Sequence, residues 1–234
     1  MVDDVRSRSR SGVYARGEDA RRRILEAALE MFAVHGYEGA STRLLAERAG
    51  VNLPAIQYYF GSKEGLYRAV VGDIVGQTEA HMAPLSSKMR AMLASSAISR
   101  AELLELLCEM LEAFVALVTG GPQVESKRLL FARAEVEATP GLEELHENGR
   151  RQIFQPCLDL VSRLIGRPPE DEATVLCTMA VIGQVTIFCH NKVQHLLKTA
   201  EFTPERVRAI QALVRSHTMA IFAAQQPIPA NQSE

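Results

Sequence analysis

The sequence contains no tryptophan, and only 6% of its residues are aromatic. Its four cysteines, at positions 108, 157, 177 and 189, include no CxxC pair of the kind that binds zinc. No uninterrupted apolar run reaches the roughly 18 residues that a membrane span needs, and the polar, Arg-rich beginning does not resemble a signal peptide. These absences predict a cytoplasmic protein with reduced thiols, no membrane partner and no metal.

The residues that are abundant favour a helical protein. The chain has 234 residues, which is enough for one large domain or two small ones. Hydrophobic residues make up 47% of them, which is enough to form a buried core. Most of them are Leu, Ala, Val, Ile and Met, which suit helix packing better than sheets. The net charge is only −2, but residues 5–25 contain seven arginines against two acidic residues. Such a basic segment is either a solvated tail or a source of phosphate contacts.

Apolar residues recur at helical spacing through most of the chain, and no segment alternates like a strand. We therefore predict an all-α protein. We expect a disordered basic arm over 1–17, a first domain over 18–78, a larger helical domain over 79–225 and a disordered tail over 226–234. Breaks between helices are predicted at Pro84, Gly120–Pro122, Thr139–Gly141, Gly166–Pro169 and Thr203–Pro204.

The first domain contains two short predicted helices joined by a tight turn, over about 41–60. Thr42 is expected to cap the first of them, Gly50 to form the turn, and Asn52 to cap the second. Pro54 would lie in the first turn of that helix, where proline is tolerated. This arrangement is a helix-turn-helix, whose second helix can enter the major groove of DNA.

The residues around this motif are similar to those of the TetR family of bacterial transcriptional regulators. The similarity covers about 50 residues in order and spacing, and beyond them only the helical architecture is alike. It rests on residues 23–28, Phe32, Gly36, Thr42, the turn over 49–51, Tyr59, Phe60, residues 62–64, Leu66 and Tyr67. The resemblance implies an N-terminal three-helix DNA-binding domain and a larger C-terminal domain for ligand binding and dimerisation.

The resemblance also implies roles for particular residues. Thr42 would meet a phosphate at the start of its helix, Tyr59 would contact the DNA backbone, and Lys63 would bind phosphate. The groove-facing candidates are Arg43, Asn52, Leu53, Ala55, Gln57 and Tyr58, of which Asn and Gln can pair with adenine and Arg with guanine. The alternatives are that Tyr58 packs in the fold, that Lys63 is a solvated charge and that Arg43 pairs with Glu47.

Three positions depart from the family pattern. Asn52 stands where Ser or Thr is common, Pro54 where Gly is common, and Gln57 where an aromatic residue is common. Asn52 can still cap its helix, whereas Pro54 removes one N–H that might have met a phosphate. The DNA sequence bound by relatives therefore cannot be transferred to this chain.

In the C-terminal domain, the resemblance implies a dimer and a small-molecule site. The predicted dimer interface comprises Val175, Met179, Ile182, Thr186, His190, Val207, Ile210, Val214, His217 and Ile221. The predicted ligand site, of a kind suited to a hydrophobic effector, comprises Leu103, Leu107, Met110, Phe114, Phe131, Phe154 and Cys177, all of which could instead be plain core. Arg128, Arg133 and Glu135 either bind a polar group of the ligand or form an exposed helix face.

No spacing of catalytic residues stands out, and the grouping of Cys189, His190 and His195 lacks the HExxH pattern of a zinc enzyme. We therefore expect no catalytic residue and no cofactor. The predicted function is a homodimeric repressor that a small effector releases from a pseudo-palindromic operator. The alternatives are a transcriptional activator, a ligand-independent DNA-binding protein, or a small-molecule binder or enzyme with a vestigial DNA domain.

Overall fold

The computed structural model describes residues 3–95, 97–134, 136–137, 139–189, 196, 198 and 202–224, with side chains from residue 17 onward. The described residues are helical and contain no strand, which confirms the predicted all-α class. The helices are α1 (Asp3–Gly39), α2 (Thr42–Ala49), α3 (Leu53–Phe60), α4 (Lys63–Leu93), α5 (Arg100–Thr119), α6 (Val124–Ala134), α7 (Leu142–Gly149), α8 (Gln155–Ile165), α9 (Glu172–Thr186) and α10 (Pro204–Ala224).

The chain divides into two compact units. The first comprises residues 1–74 and 125–144, and the second comprises 75–124 and 145–234. The division within α4 lies close to the boundary expected at position 78. The segment 125–144, however, belongs to the first unit although it comes much later in the sequence. The expectation of two contiguous domains was therefore incomplete.

The first unit is built around side chains from α1 to α4. Phe32, Leu45, Ile56, Leu66 and Tyr67 are all buried, and the rings of Phe32 and Tyr67 meet edge to face with centroids 4.8 Å apart. Burial of one such side chain typically contributes about 1.5–3 kcal/mol. This core holds the short helices α2 and α3, which could not be stable alone at eight residues each.

The N-terminal arm differs from the sequence prediction. We expected residues 1–17 to be disordered, whereas α1 begins at Asp3 and is helical through this segment. The segment contains no proline, and the high helix propensity of its arginines offsets the weaker propensity of its serines and Gly12, so the helix before Gly36 extends back to Asp3. The predicted tail over 226–234 lies outside the described residues.

The predicted break at Pro84 is also wrong, because α4 continues through this residue to Leu93. Proline inside a helix costs about 3 kcal/mol, since it cannot donate to the carbonyl of the residue four positions earlier. Met82 and Met89, on either side, are buried in the core of the second unit. Their packing offsets this cost and keeps the helix continuous.

The second unit is organised around α5. Buried residues of α5, including Leu106, Leu107 and Leu111, pack with apolar side chains of α4, α8, α9 and α10. An ion-pair network joins two of these helices at the edge of the core. Arg215 of α10 donates from Nη1 to Glu112 Oε1 at 3.0 Å and from Nη2 to the carboxylate of Glu105, and both acceptors belong to α5.

We expect the Glu105→Gln variant to lose about 1 kcal/mol or less of unfolding free energy at neutral pH, because Arg215 and Glu105 are 33% and 45% exposed. The hydrogen bond from Arg215 lowers the pKa of Glu105 in the folded protein. The pair therefore stabilises the fold above the unfolded-state pKa of about 4.3, and this contribution disappears as the pH falls through the lower folded-state pKa. Urea unfolding across this pH range measures the effect. A difference between wild type and variant that persists in acid would contradict the explanation.

Candidate nucleic-acid interface

Helix α3 has the ends that its sequence predicted. Asn52 Oδ1 accepts a hydrogen bond from the Ala55 N–H at 3.1 Å, which confirms the predicted cap, and Pro54 lies in the first turn. The helix ends at Gly61, whose φ of 72° lies in the region that favours glycine. Ile56 is buried and fixes one side of the helix against the core of the first unit.

The opposite side of α3 is an exposed surface of mixed chemistry. Leu53, Pro54, Gln57 and Tyr58 line a shallow, open depression, and Tyr58 is 83% exposed. The exposure of Tyr58 argues against the alternative that it packs in the fold. An amide, a phenol and apolar groups on one helix face are the groups that can contact base edges and thymine methyl groups.

Helix α2 and its turn are held against α1. Gly50 adopts the left-handed conformation, with a φ of 63°, and its N–H bonds back to α2. Arg23 of α1 donates from Nη1 to the Ala49 carbonyl at 3.1 Å, and Arg48 pairs with Glu30 of α1 at 3.3 Å. These long-range contacts fix the angle at which α3 leaves the turn.

The cap of α2 was assigned one residue too late. We expected Thr42 to cap the helix, whereas Ser41 has the extended backbone and its Oγ accepts from the Leu44 N–H at 3.5 Å. Thr42 is instead the first helical residue and is half-buried, while Arg43 is exposed. Serine and threonine are both favoured at N-caps and serine only slightly more, so the local sequence decides poorly between two adjacent hydroxyl residues.

The two predicted backbone-contacting residues differ in their surroundings. The Tyr59 hydroxyl lies close to Gly17, where an added Cβ would be 3.5 Å from it, and its ring is half-buried. Lys63 Nζ donates to the Glu38 carbonyl at 2.9 Å and lies 5.0 Å from the centre of the Tyr37 ring. An ammonium group has three donors, so this bond leaves others for a phosphate. Ala55, the remaining candidate on α3, is half-buried.

The predicted ligand residues fall into two groups. Leu103, Leu107, Met110 and Phe114 lie together in the core of the second unit, and Cys177 packs against them. Phe154 is half-buried in the same unit, at the end of a π-helical turn over Arg150–Phe154. Phe131 is 40% exposed on α6 and belongs to the first unit.

The predicted dimer residues also divide by exposure. Met179 and His217 are exposed, whereas Ile182, Val207, Ile210 and Ile221 pack partly against the core of their own unit. Val214 is only 2% exposed, so it belongs to that core and is corrected as an interface residue. Val175 and Thr186 are intermediate, and His190 lies outside the described residues.

The exposed side of α9 carries a stripe that the sequence prediction placed one position away. Its members, which we call the α9 stripe, are Ala173, Leu176, Ala180 and Gly183, with Met179 beside them, and Ile187 continues the same spacing just after the helix ends. Their alternating spacing of three and four residues is typical of helices that pack against another helix. Only 22% of Glu172–Cys189 is buried, although its mean hydropathy is 1.6 and its length and composition alone would suffice for a membrane span.

Helix α10 carries a similar exposed stripe. Ala209, Ala212, Ser216, Met219 and Ala223 have the same alternating spacing and small or apolar side chains, and α10 contacts α9 within the second unit. A single helix that meets the membrane criterion is weak evidence for a membrane protein. Two adjacent striped helices instead match a helix-packing interface.

The suggested metal ligands cannot be assembled from the structure. Cys189 is partly buried, while His190 and His195 lie outside the described residues. Across the ranges that the structure does describe, no group of three or more His, Cys, Asp or Glu side chains is arranged to hold a metal ion.

Comparisons with known proteins agree with this architecture. Residues 24–70 match the family described as "Bacterial regulatory proteins, tetR family", and residues 103–225 match "HTH-type transcriptional dual regulator CecR, C-terminal domain". A CecR protein of Shigella flexneri is 30% identical over 211 residues, which cover 86% of this chain and 91% of that protein.

Solved structures have the same fold. A TetR-like regulator from Rhodococcus sp. RHA1 is similar with a TM-score of 0.61 and 20% identity, covering 87% of this chain and 96% of its own. The regulator FadR of Bacillus subtilis, solved with stearoyl-CoA, has a TM-score of 0.58 and 16% identity, covering 84% and 96%. The helix-turn-helix geometry, the two family matches and the near full-length relative together show that the chain belongs to the TetR family of DNA-binding transcriptional regulators.

Proposed function

We propose that this regulator is a homodimeric repressor, which binds a pseudo-palindromic operator and is released by a small hydrophobic effector. The observation that carries the proposal is the exposed surface of α3, where Gln57 and Tyr58 are free of the core while Ile56 fixes the helix. We propose that Asn52, Leu53, Gln57 and Tyr58 read bases, whereas Thr42, Arg43, Tyr59 and Lys63 contact phosphates.

The dimer would form through the stripes on α9 and α10. Two helices from each protomer would make a four-helix interface, with the small residues of both stripes allowing close approach. Leu176 and Met179 are 57% and 58% exposed in the single chain, so burying them against a second copy stabilises the assembly. A twofold axis would set two copies of α3 about 34–36 Å apart, which matches successive major grooves.

The effector would bind among the apolar residues of the second unit. Leu103, Leu107, Met110 and Phe114 line one side of α5, with Cys177 packed beside them and Phe154 in the same unit. The flexible side chain of Met110 can rearrange to admit an apolar ligand. Phe131 is not part of this proposed site, because it belongs to the first unit.

Release of DNA would follow from a difference in effector affinity between two conformations. Helix α4 begins beside the helix-turn-helix at Lys63 and continues into the second unit after Ile74, so a change in its direction could alter the spacing of the two α3 helices. The effector can shift this equilibrium only by its differential affinity for the two states, and DNA must weaken effector binding by the same factor. The protein would act in the cytoplasm, as a regulator rather than an enzyme.

The proposal is tested with the duplex that the wild-type protein selects from randomised DNA. Mobility-shift titrations would screen apolar compounds, including stearoyl-CoA because a structural relative binds it, for release of that duplex. A reporter gene placed downstream of the selected site is compared in strains with and without the regulator gene, which distinguishes repression from activation. Increased expression in the strain without the gene supports repression.

Each other outcome rejects a specific part of the proposal. Reduced reporter expression would indicate activation, which the description of the CecR relative as a dual regulator makes a concrete alternative. Equal DNA affinity with every compound would contradict effector release. Failure to select any duplex would favour a small-molecule binder with a vestigial DNA domain.

A further inference from the structure

Helix α1 is interrupted at Gly36, close to the start of α4. Gly36 has a φ of 72° and a ψ of 174°, so the helical hydrogen bonds end there and the carbonyl groups before it need other donors. After the break, the Glu38 carbonyl accepts from Lys63 Nζ at 2.9 Å. The geometry of the break therefore affects the position of Lys63, the residue expected to bind phosphate at the beginning of α4.

The carbonyl groups before the break are bonded by an arginine that lies a hundred residues later in the sequence. Arg133, near the end of α6, donates from Nε to the Ala33 carbonyl and from Nη2 to the Val34 carbonyl, each at 2.7 Å. A planar guanidinium can bond two adjacent carbonyls at once, and its charge is favourable at a helix C-terminus.

Glu137 completes this arrangement. Its Oε1 accepts from Arg133 Nη1 at 3.0 Å, while Nε and Nη2 bond α1. A Cβ on Gly36 would lie 2.9 Å from both carboxylate oxygens of Glu137, so the carboxylate occupies the space that only glycine leaves open. Arg133 and Glu137 therefore fit the break itself and are not merely a surface pair.

We propose that Arg133 is a positioning residue for operator binding, although it lies outside the helix-turn-helix motif. It fixes the break in α1 from one side, and Lys63 bonds the chain on the other side. Loss of Arg133 would let the residues around Gly36 change direction and move Lys63 away from its phosphate. The inference rests on DNA binding by the first unit and adds a residue on which that binding depends.

The test measures the dissociation constant for the selected duplex over a series of salt concentrations. Arg133→Ala is expected to weaken binding by about tenfold, with the salt dependence unchanged because no phosphate contact is lost. Arg133→Lys should be intermediate, since an ammonium group lacks the planar fork that bonds both carbonyls. Arg150→Ala is the matched control: it removes the same charge from an exposed pair with Glu147 in the second unit, and we expect no change.

Gly36→Ala provides an independent route to the same break. It should also weaken binding. The fold-loss in affinity of the double variant with Arg133→Ala should be smaller than the product of the fold-losses of the two single variants, because both substitutions act on one structure. Circular dichroism and thermal unfolding show whether each variant is folded. If Arg133→Ala does not fold, the milder Arg133→Lys and Glu137→Gln variants provide the same comparison.

Three results would overturn the inference. The first is an affinity of Arg133→Ala within about twofold of wild type. The second is a salt dependence that falls by about two phosphate contacts, one from each protomer, which would make Arg133 a direct DNA contact. The third is full additivity with Gly36→Ala. Failure of the wild-type protein to select any duplex would instead reject DNA binding, so the two failures are distinguishable.

Discussion

Replacing Leu176 and Met179 by aspartate is expected to produce a folded monomer that has lost most of its operator affinity. Both side chains are more than half exposed in the single chain, so two charges there leave the core of the second unit intact. In a dimer they would be buried charges without partners, which is strongly unfavourable. A monomer binds one half-site at a time and loses the effective concentration that links two sites, so affinity should fall by about 10²–10⁴-fold.

Analytical ultracentrifugation gives the mass of the variant, and mobility-shift titration gives its affinity. The matched control is Ser87→Asp with Ala91→Asp, which adds the same two charges to exposed positions of α4 in the same unit. The control should remain a dimer with wild-type affinity. A dimeric Leu176→Asp, Met179→Asp protein would show that the stripes on α9 and α10 are not the interface.

Removing the exposed side chains of Gln57 and Tyr58 is expected to remove most of the sequence discrimination, because only Asn52 and Leu53 of the proposed base-reading residues remain. Each base contact typically contributes about 1–3 kcal/mol, so the Gln57→Ala, Tyr58→Ala variant should bind its operator about 10²–10⁴-fold more weakly. The fold should be unaffected, because Ile56 rather than either of these residues packs in the core. Binding to unrelated DNA should change little, since phosphate contacts supply that affinity.

Lys63→Ala is the informative comparison for this variant. It should weaken binding to the operator and to unrelated DNA about equally, and reduce the salt dependence by about two phosphate contacts, one from each protomer. Fluorescence anisotropy with both duplexes, at several salt concentrations, separates the two patterns. Unchanged operator affinity in the Gln57→Ala, Tyr58→Ala variant would mean that Gln57 and Tyr58 do not read DNA.

The features that the sequence predicted correctly depend on residues close together in the chain. The cap by Asn52 and the left-handed turn at Gly50 each follow from the conformational preference of one residue and its neighbours. The similarity around Thr42 and Tyr59 then led to the correct family. For this reason the DNA-binding unit could be predicted from the sequence alone.

The features that the sequence missed depend on contacts between distant residues. A proline normally indicates a break, but burial of Met82 and Met89 keeps α4 helical through Pro84. Nothing near Arg133 in the sequence indicates that its guanidinium bonds α1, and its charge suggested only a ligand contact or an exposed face. Tertiary packing decides such cases, and local propensity does not contain it.

The exposed α9 stripe was predicted one position away from where it lies, for a different reason. Almost every position of this helix is apolar or small, so the sequence indicates a helix without showing which side faces its own core. The burial of Thr174 and Thr178 fixes the rotation of the helix and turns Leu176 outward. The inner side combines these threonines with Val181 and Val185, whereas Leu176 lies on the outer side, so side-chain polarity alone does not identify the buried side.

Hydroxyl-radical footprinting of the selected duplex shows whether a dimer presents two copies of α3 to DNA. The expected result is two protected half-sites related by twofold symmetry, with centres one helical turn, about 10–10.5 base pairs, apart or at a multiple of it. The Gln57→Ala, Tyr58→Ala variant should lose this protection. A single asymmetric protected site would rule out a twofold dimer on the DNA. The same footprint with that variant would rule out base reading by Gln57 and Tyr58.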